Sequence, residues 1–257
     1  MESTNPIFKN FGSPKPLGGQ QAIDPGRMSL PGTLYKTAIL LALFSITAAC
    51  SWIEIGSFQH EGKYMTLVLA LVFLACTLGA VALVWITVRR KWWSPITAPI
   101  YALMQGVFVG FASVGMDRRF PGIAIQAVGL TIAISLCLIV AYRRGFIRVT
   151  ESFNKKLGVA TAGVLVYYIG SLAIALASRH TLYKIIGGVP GILISVVVVA
   201  IAGMSLVSNF DFAVQFSREK FPKYMEWYAA LGLLVTLLWL YLETLDLLSK
   251  ARRAEGQ

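Results

Sequence analysis

Seven long apolar runs, separated by short stretches of charge, glycine or proline, set the pattern of this chain. They fall at about 34–53, 64–88, 95–114, 122–142, 157–177, 185–212 and 227–248. Each has roughly the 20 mostly apolar residues that a helix needs to cross a bilayer. Strands of a membrane barrel would be shorter and would alternate. The prolines of the third run suit a first turn or a kink, and Pro190 stands near the start of the sixth. Gly106 and Gly110 form a GxxxG, read as close helix contact inside the bundle. The stretch 187–203 alternates small residues with Val and Ile, which suggests a tightly packed central helix. Trp92, Trp93, Trp227 and Tyr228 stand at the edges of runs, as interfacial anchors do.

Composition agrees with the pattern. Of 257 residues 56% are apolar and 14% charged, against about a quarter charged in soluble domains. The fold class expected is therefore an all-α membrane protein, a seven-transmembrane-helix bundle. Residues 1–32, rich in Gly, Pro, Ser and Asn, have no apolar run; they read as a flexible cytosolic tail rather than a cleaved signal peptide. Residues 33–249 then form the transmembrane domain and 250–257 a short basic tail.

The net charge of +11 does not point to nucleic acid. The basic residues sit in clusters between apolar runs, such as Arg89–Lys91, Arg143–Arg144 and Lys155–Lys156, and no basic domain exists to bind a polyanion. With the N-terminus cytosolic, fifteen Lys and Arg fall on that side and eight on the other, which the positive-inside rule favours. The basic C-terminal tail then lies on the far side, against the rule. Seven full spans are preferred over a last segment that enters and returns, because irregular backbone at membrane depth needs protein or water to cover it.

Cys50, Cys76 and Cys137 are scattered among apolar residues and read as small buried hydrophobes. His60 and His180 fall in loops. No HExxH, GxSxG or phosphate-binding glycine loop is present, so the chain is not expected to be an enzyme or to hold a tightly bound cofactor.

Three acids stand where lipid would forbid them: Asp211 in SNFDFAVQF, and Glu243 and Asp246 in LLWLYLETLDLL. An ionisable group at membrane depth is a functional candidate by default. Glu243 and Asp246 are three apart and share a helix face. If a hairpin brings Asp211 alongside, two carboxylates at about 4 Å repel by roughly 4 kcal/mol at an effective dielectric of 20. Such a pair shares one proton up to about neutral pH and titrates as a unit. When deprotonated it offers hard oxygens to Ca²⁺ or another cation. The plainer reading stays open here: Glu243 and Asp246 as the solvated end of the last helix before Lys250, and Asp211 as the cap of its run. The two acids meet only if the link 215–226 and the start of the seventh helix lie outside the bilayer core.

Three stretches of this chain resemble the Bax inhibitor-1 family, the transmembrane Bax-inhibitor-motif group, in its bacterial members: APIYALMQGVFVGFAS at 98–113, SLVSNFDF at 205–212 and EWYAALGLLVTLLWLYLETLDLL at 226–248. The resemblance implies a seven-helix bundle with the last helix near its centre, in a bacterial inner membrane. It implies a pH-sensitive calcium leak channel, with a pair of acids on the last two helices as proton sensor. An arginine after the second helix pairs with the first acid in the closed form. On this chain Asp211 matches the first acid. Glu243 matches the second, one methylene longer than the family's Asp. Asp246 becomes an added ligand. Arg90 matches the latch, with Arg89 as the neighbouring choice. No acid matches in the second helix, where Gly79 and Ala80 stand. The alternative implied is a non-conducting regulator that binds other membrane proteins, such as a membrane protease, through the link 217–223 and the N-terminal tail. A third reading, a proton-coupled transporter, predicts an inverted repeat, and no similarity between the halves is visible.

Overall fold

The computed structural model describes residues 26–57, 63–177 and 188–255. They form seven long helices: α1 (Leu30–Ser57), α2 (Lys63–Arg89), α3 (Ser94–Asp117), α4 (Ile123–Arg143), α5 (Glu151–Ala177), α6 (Gly188–Arg218) and α7 (Met225–Glu255). A single 3₁₀ turn, Lys91–Trp93, joins α2 to α3. Within the described residues α1, α3, α4, α6 and α7 are each long and apolar enough to cross a membrane, and α2 adds the apolar stretch Leu74–Arg89. Helices are what lipid demands, since every backbone N–H and C=O must be satisfied within the segment. Polar side chains inside the helices follow the same rule. Thr37, Ser51, Thr87, Thr131, Ser135 and Thr244 each donate to the carbonyl four residues earlier.

The chain runs up and down, and its contacts fix which ends share a side. Ser94 Oγ donates to the Tyr224 carbonyl (2.9 Å) and Met28 N to that of Phe221 (2.7 Å). The start of α1, the α2–α3 turn and the α6–α7 turn therefore lie at one end. At the other, Arg252 donates to Gln126 Oε1 (3.3 Å) and Arg253 lies over Phe120. So α7 spans the bundle fully, and the basic C-terminal segment, helical through Glu255, sits opposite the basic-rich end.

The last helix is the axis. Apolar residues of α7 enter all four core clusters: Leu231, Leu234 and Leu238 against α1, α2 and α3; Leu233 and Leu240 against α6; Met225 and Ala229 beneath Met28 and Phe216; Tyr241 and Leu245 against α3 and α4. A helix apolar all round is a buried one. The 187–203 stretch behaves otherwise. Its described part lies in α6, and Leu193, Val196 and Val197 are exposed on the outer face. Ser195, Val198, Val199 and Ala202 of the same stretch are buried, so α6 packs tightly by one face, and centrality belongs to α7. The cysteines also differ from expectation, because Cys50 and Cys137 are exposed on outer faces and Cys76 only half-buried. His60 and His180 lie outside the described residues.

Gly106 and Gly110 do make a close contact within the bundle. A Cβ at Gly106 would fall on Thr47 Oγ1 and the Phe44 carbonyl, and one at Gly110 on the Ala48 carbonyl. Only glycine lets α3 approach α1 this closely.

The boundary of the N-terminal tail moves. Residues 26–29 are not loose chain: Arg27 bridges Pro222, with Lys223 N donating to the Gly26 carbonyl (3.2 Å). Ser29 caps α1 by accepting from Gly32 N (3.1 Å).

Candidate functional site

The acids of α6 and α7 occupy two separate places. Asn209 Nδ2 donates to the Gly232 carbonyl (3.2 Å) and Ser195 Oγ to Asp246 Oδ2 (3.2 Å). In both pairs the residue numbers add to 441, so Asp211 is level with Ala230 and Glu243 with Val198. Ala230 and Glu243 are thirteen residues apart on one helix, about 20 Å along the axis at 1.5 Å per residue. Asp211 and Glu243 therefore do not form the carboxylate pair expected from the sequence, nor a joint cation site. The physical reason is the shortness of the α6–α7 turn. Met225 already begins α7, so the two helices pair almost from their ends and Asp211 meets the first turns of α7.

Asp211 stands near the basic-rich end, buried (9% exposed). Its Oδ1 accepts from Tyr142 of α4 (2.6 Å) and its Oδ2 from Gln215 one turn along α6. It borders an open pocket of about 340 Å³ between α5 and α6, lined by the polar Asn154, Thr161, Ser205 and Ser208 and by the apolar Leu157 and Phe212. Ser208 donates to Asn154 Oδ1 (2.8 Å) across that gap.

Glu243 is deeper and also buried (5% exposed). Its Oε1 accepts from Tyr168 of α5 (2.6 Å) and from Trp239 one turn back (2.8 Å). Both acids are thus held by a phenol from a different helix, Asp211 joining α6 to α4 and Glu243 joining α7 to α5. Between them Ala202, Leu206, Leu233 and Leu240 pack into an apolar cluster.

Asp246 does not join Glu243 as an added ligand. It pairs with Lys250 (2.6 Å), and Lys250 also donates to Ser195 (2.7 Å). Among the described residues no group of three or more His, Cys, Asp or Glu is placed to hold a metal ion.

Neither arginine latches Asp211. Arg89 lies over the Trp85 ring (4.4 Å to the centroid) and Arg90 over Trp93 (5.4 Å). They end α2, which packs on α3, while Asp211 faces α4 and α5 on the other side of α7.

A fourth acid escaped the sequence reading. Glu226 looks like part of a charged link, yet it is buried (2% exposed). It pairs with Lys36 (2.6 Å) and accepts from Ser29 N (2.9 Å) and Ser29 Oγ (3.1 Å). Lys36 also lies 5.3 Å from the Trp227 ring centroid. A Cβ at Gly32 would collide with the Glu226 carboxylate. The visible signals were Lys36 inside the first apolar run and Glu226 at the start of the seventh. A lone charge of each sign at membrane depth calls for a partner.

Compared with known families, residues 5–253 match the model described as Bax inhibitor 1 like. No curated protein and no solved structure matches the chain.

Proposed function

We propose that this chain, which belongs to the Bax inhibitor-1 family, is a proton-sensitive cation leak pathway, with Ca²⁺ as the first candidate cargo. In this reading Asp211 and Glu243 work as two stations at different depths instead of one shared-proton pair. The observation that carries it is the Asp211 carboxylate bordering an open pocket that also holds Asn154, Ser205 and Ser208, beside an apolar cluster that would act as a plug. One carboxylate with hydroxyl and amide oxygens suits a hard cation in passage, while a tight Ca²⁺ cage takes six to eight oxygens.

The proton acts on the deeper of the two phenol clamps, while Asp211 serves as the cation station. A hydrogen bond to an ionised acceptor is roughly twice as strong as a neutral one. While Asp211 and Glu243 are ionised, Tyr142 and Tyr168 hold α4 to α6 and α5 to α7. Protonation of Glu243, the deeper acid, weakens the clamp to Tyr168. The helices around the plug loosen, and flux rises as pH falls. The basic-rich end, where Asp211 sits, is assigned to the cytoplasm of a bacterial inner membrane on the positive-inside rule.

The test is Ca²⁺ flux into proteoliposomes across pH 6 to 8. Wild type should conduct more at the acid end, Glu243→Gln and Tyr168→Phe should flatten that profile, and Asp211→Asn should lower flux at every pH. A wild-type pH profile in Glu243→Gln removes Glu243 as the proton-responsive station, and wild-type flux in Asp211→Asn removes Asp211 as the cation station. No flux from folded wild type at any pH would favour the non-conducting regulator of other membrane proteins.

A further inference from the structure

With no acid to latch, the α2–α3 turn is open to another role. Arg89, Arg90, Trp85, Trp92 and Trp93 gather there within nine residues. Both arginines are exposed, and neither enters any of the ion pairs found among the described residues. Each guanidinium lies within the roughly 6 Å of a tryptophan ring at which cation–π attraction operates. A guanidinium stacked on a ring keeps its in-plane N–H donors directed sideways, in the fork that grips a phosphate. The turn also leads into the N-terminus of α3, which begins Ser94–Pro95 and whose dipole favours an anion. Apolar surface faces outward next to the charges: Trp85 is 59% exposed, Val88 is exposed three residues along the same helix, and Ile96 is exposed in the first turn of α3.

We propose that this turn is a binding site for an anionic phospholipid, its headgroup phosphate held by Arg89 and Arg90 and its acyl chains lying on Trp85, Val88 and Ile96. Charge and apolar surface lie next to each other, as they do in a lipid. A soluble phosphate would use the first and leave the second bare. The site stands apart from the conduction proposal, since it requires nothing of Asp211 or Glu243.

The test titrates the purified chain, stripped of lipid in neutral detergent, with phosphatidylglycerol or phosphatidylcholine and counts bound lipid by native mass spectrometry. Wild type should retain phosphatidylglycerol over phosphatidylcholine. The Arg89→Gln/Arg90→Gln variant should bind phosphatidylglycerol about 10- to 30-fold more weakly, the loss of two interfacial charges. The matched control, Arg143→Gln/Arg144→Gln, removes the same charge at the end of α4 and should retain wild-type binding. Unchanged binding in the first variant overturns the site. An equal loss in the control also overturns it, since diffuse surface charge would then suffice. Helix content by circular dichroism confirms that each variant is folded.

Discussion

The separation of Asp211 from Glu243 makes a prediction that needs no transport assay. Take Asp211→Asn, Glu243→Gln and the double variant, and measure unfolding in detergent at pH 8 by the helix signal in circular dichroism. Far-ultraviolet dichroism is the better probe, because Trp239 bonds Glu243 and its fluorescence would report the substitution itself. Each single change turns charge-assisted hydrogen bonds into neutral ones and should cost about 1–2 kcal/mol. At about 20 Å the two charges interact by about 0.8 kcal/mol at an effective dielectric of 20, before any screening. Sites this far apart usually add to within about 0.5 kcal/mol. The double variant should therefore lose the sum of the singles. A carboxylate pair at about 4 Å would behave oppositely: repulsion near 4 kcal/mol makes the first neutralisation stabilising and the second nearly silent. A coupling energy above about 2 kcal/mol, or a stabilised single variant, would refute the two-station geometry.

Two further outcomes follow from the packing. Lys36→Met strands the buried Glu226 carboxylate and should cost about 3–5 kcal/mol, whereas Lys36→Met with Glu226→Leu should cost less than Lys36→Met alone; thermal unfolding of the three proteins decides. Gly106→Ala sets a methyl group against the α1 backbone and should cost about 1–3 kcal/mol, while Gly115→Ala, on the same helix with open space around it, should be neutral or slightly stabilising on the same assay.

The seven helices were legible because lipid imposes a length and a composition on any segment that crosses it, and each apolar run announced its helix to within a few residues. The ends were less clear. Glu151 to Lys156, polar in sequence, continue α5, since a helix can protrude past the apolar layer. That Asp211 and Glu243 are acids set within apolar runs was visible, and both are buried. Their depths were not visible, because depth depends on inter-helix register, which is set by contacts such as Asn209 to Gly232 across the hairpin. Tyr142 and Tyr168 were hidden for a related reason: a tyrosine in an apolar run looks like packing until its hydroxyl is seen to reach a carboxylate. Arg90 illustrates the reverse case. Its place after the second helix suited a latch, yet which face of the bundle an arginine reaches is decided by the helices standing between.

The ion pair between Lys36 and Glu226 joins the first helix to the last, and α7 also supplies part of every apolar cluster. Synthesis delivers helices in order. A chain lacking α7 would lack the counter-charge of Lys36 and the helix that contributes to each of these clusters. Assembly is thereby made conditional on finishing. A chain stopped before residue 225 would leave Lys36 without this partner, and an unpaired charge at membrane depth is costly.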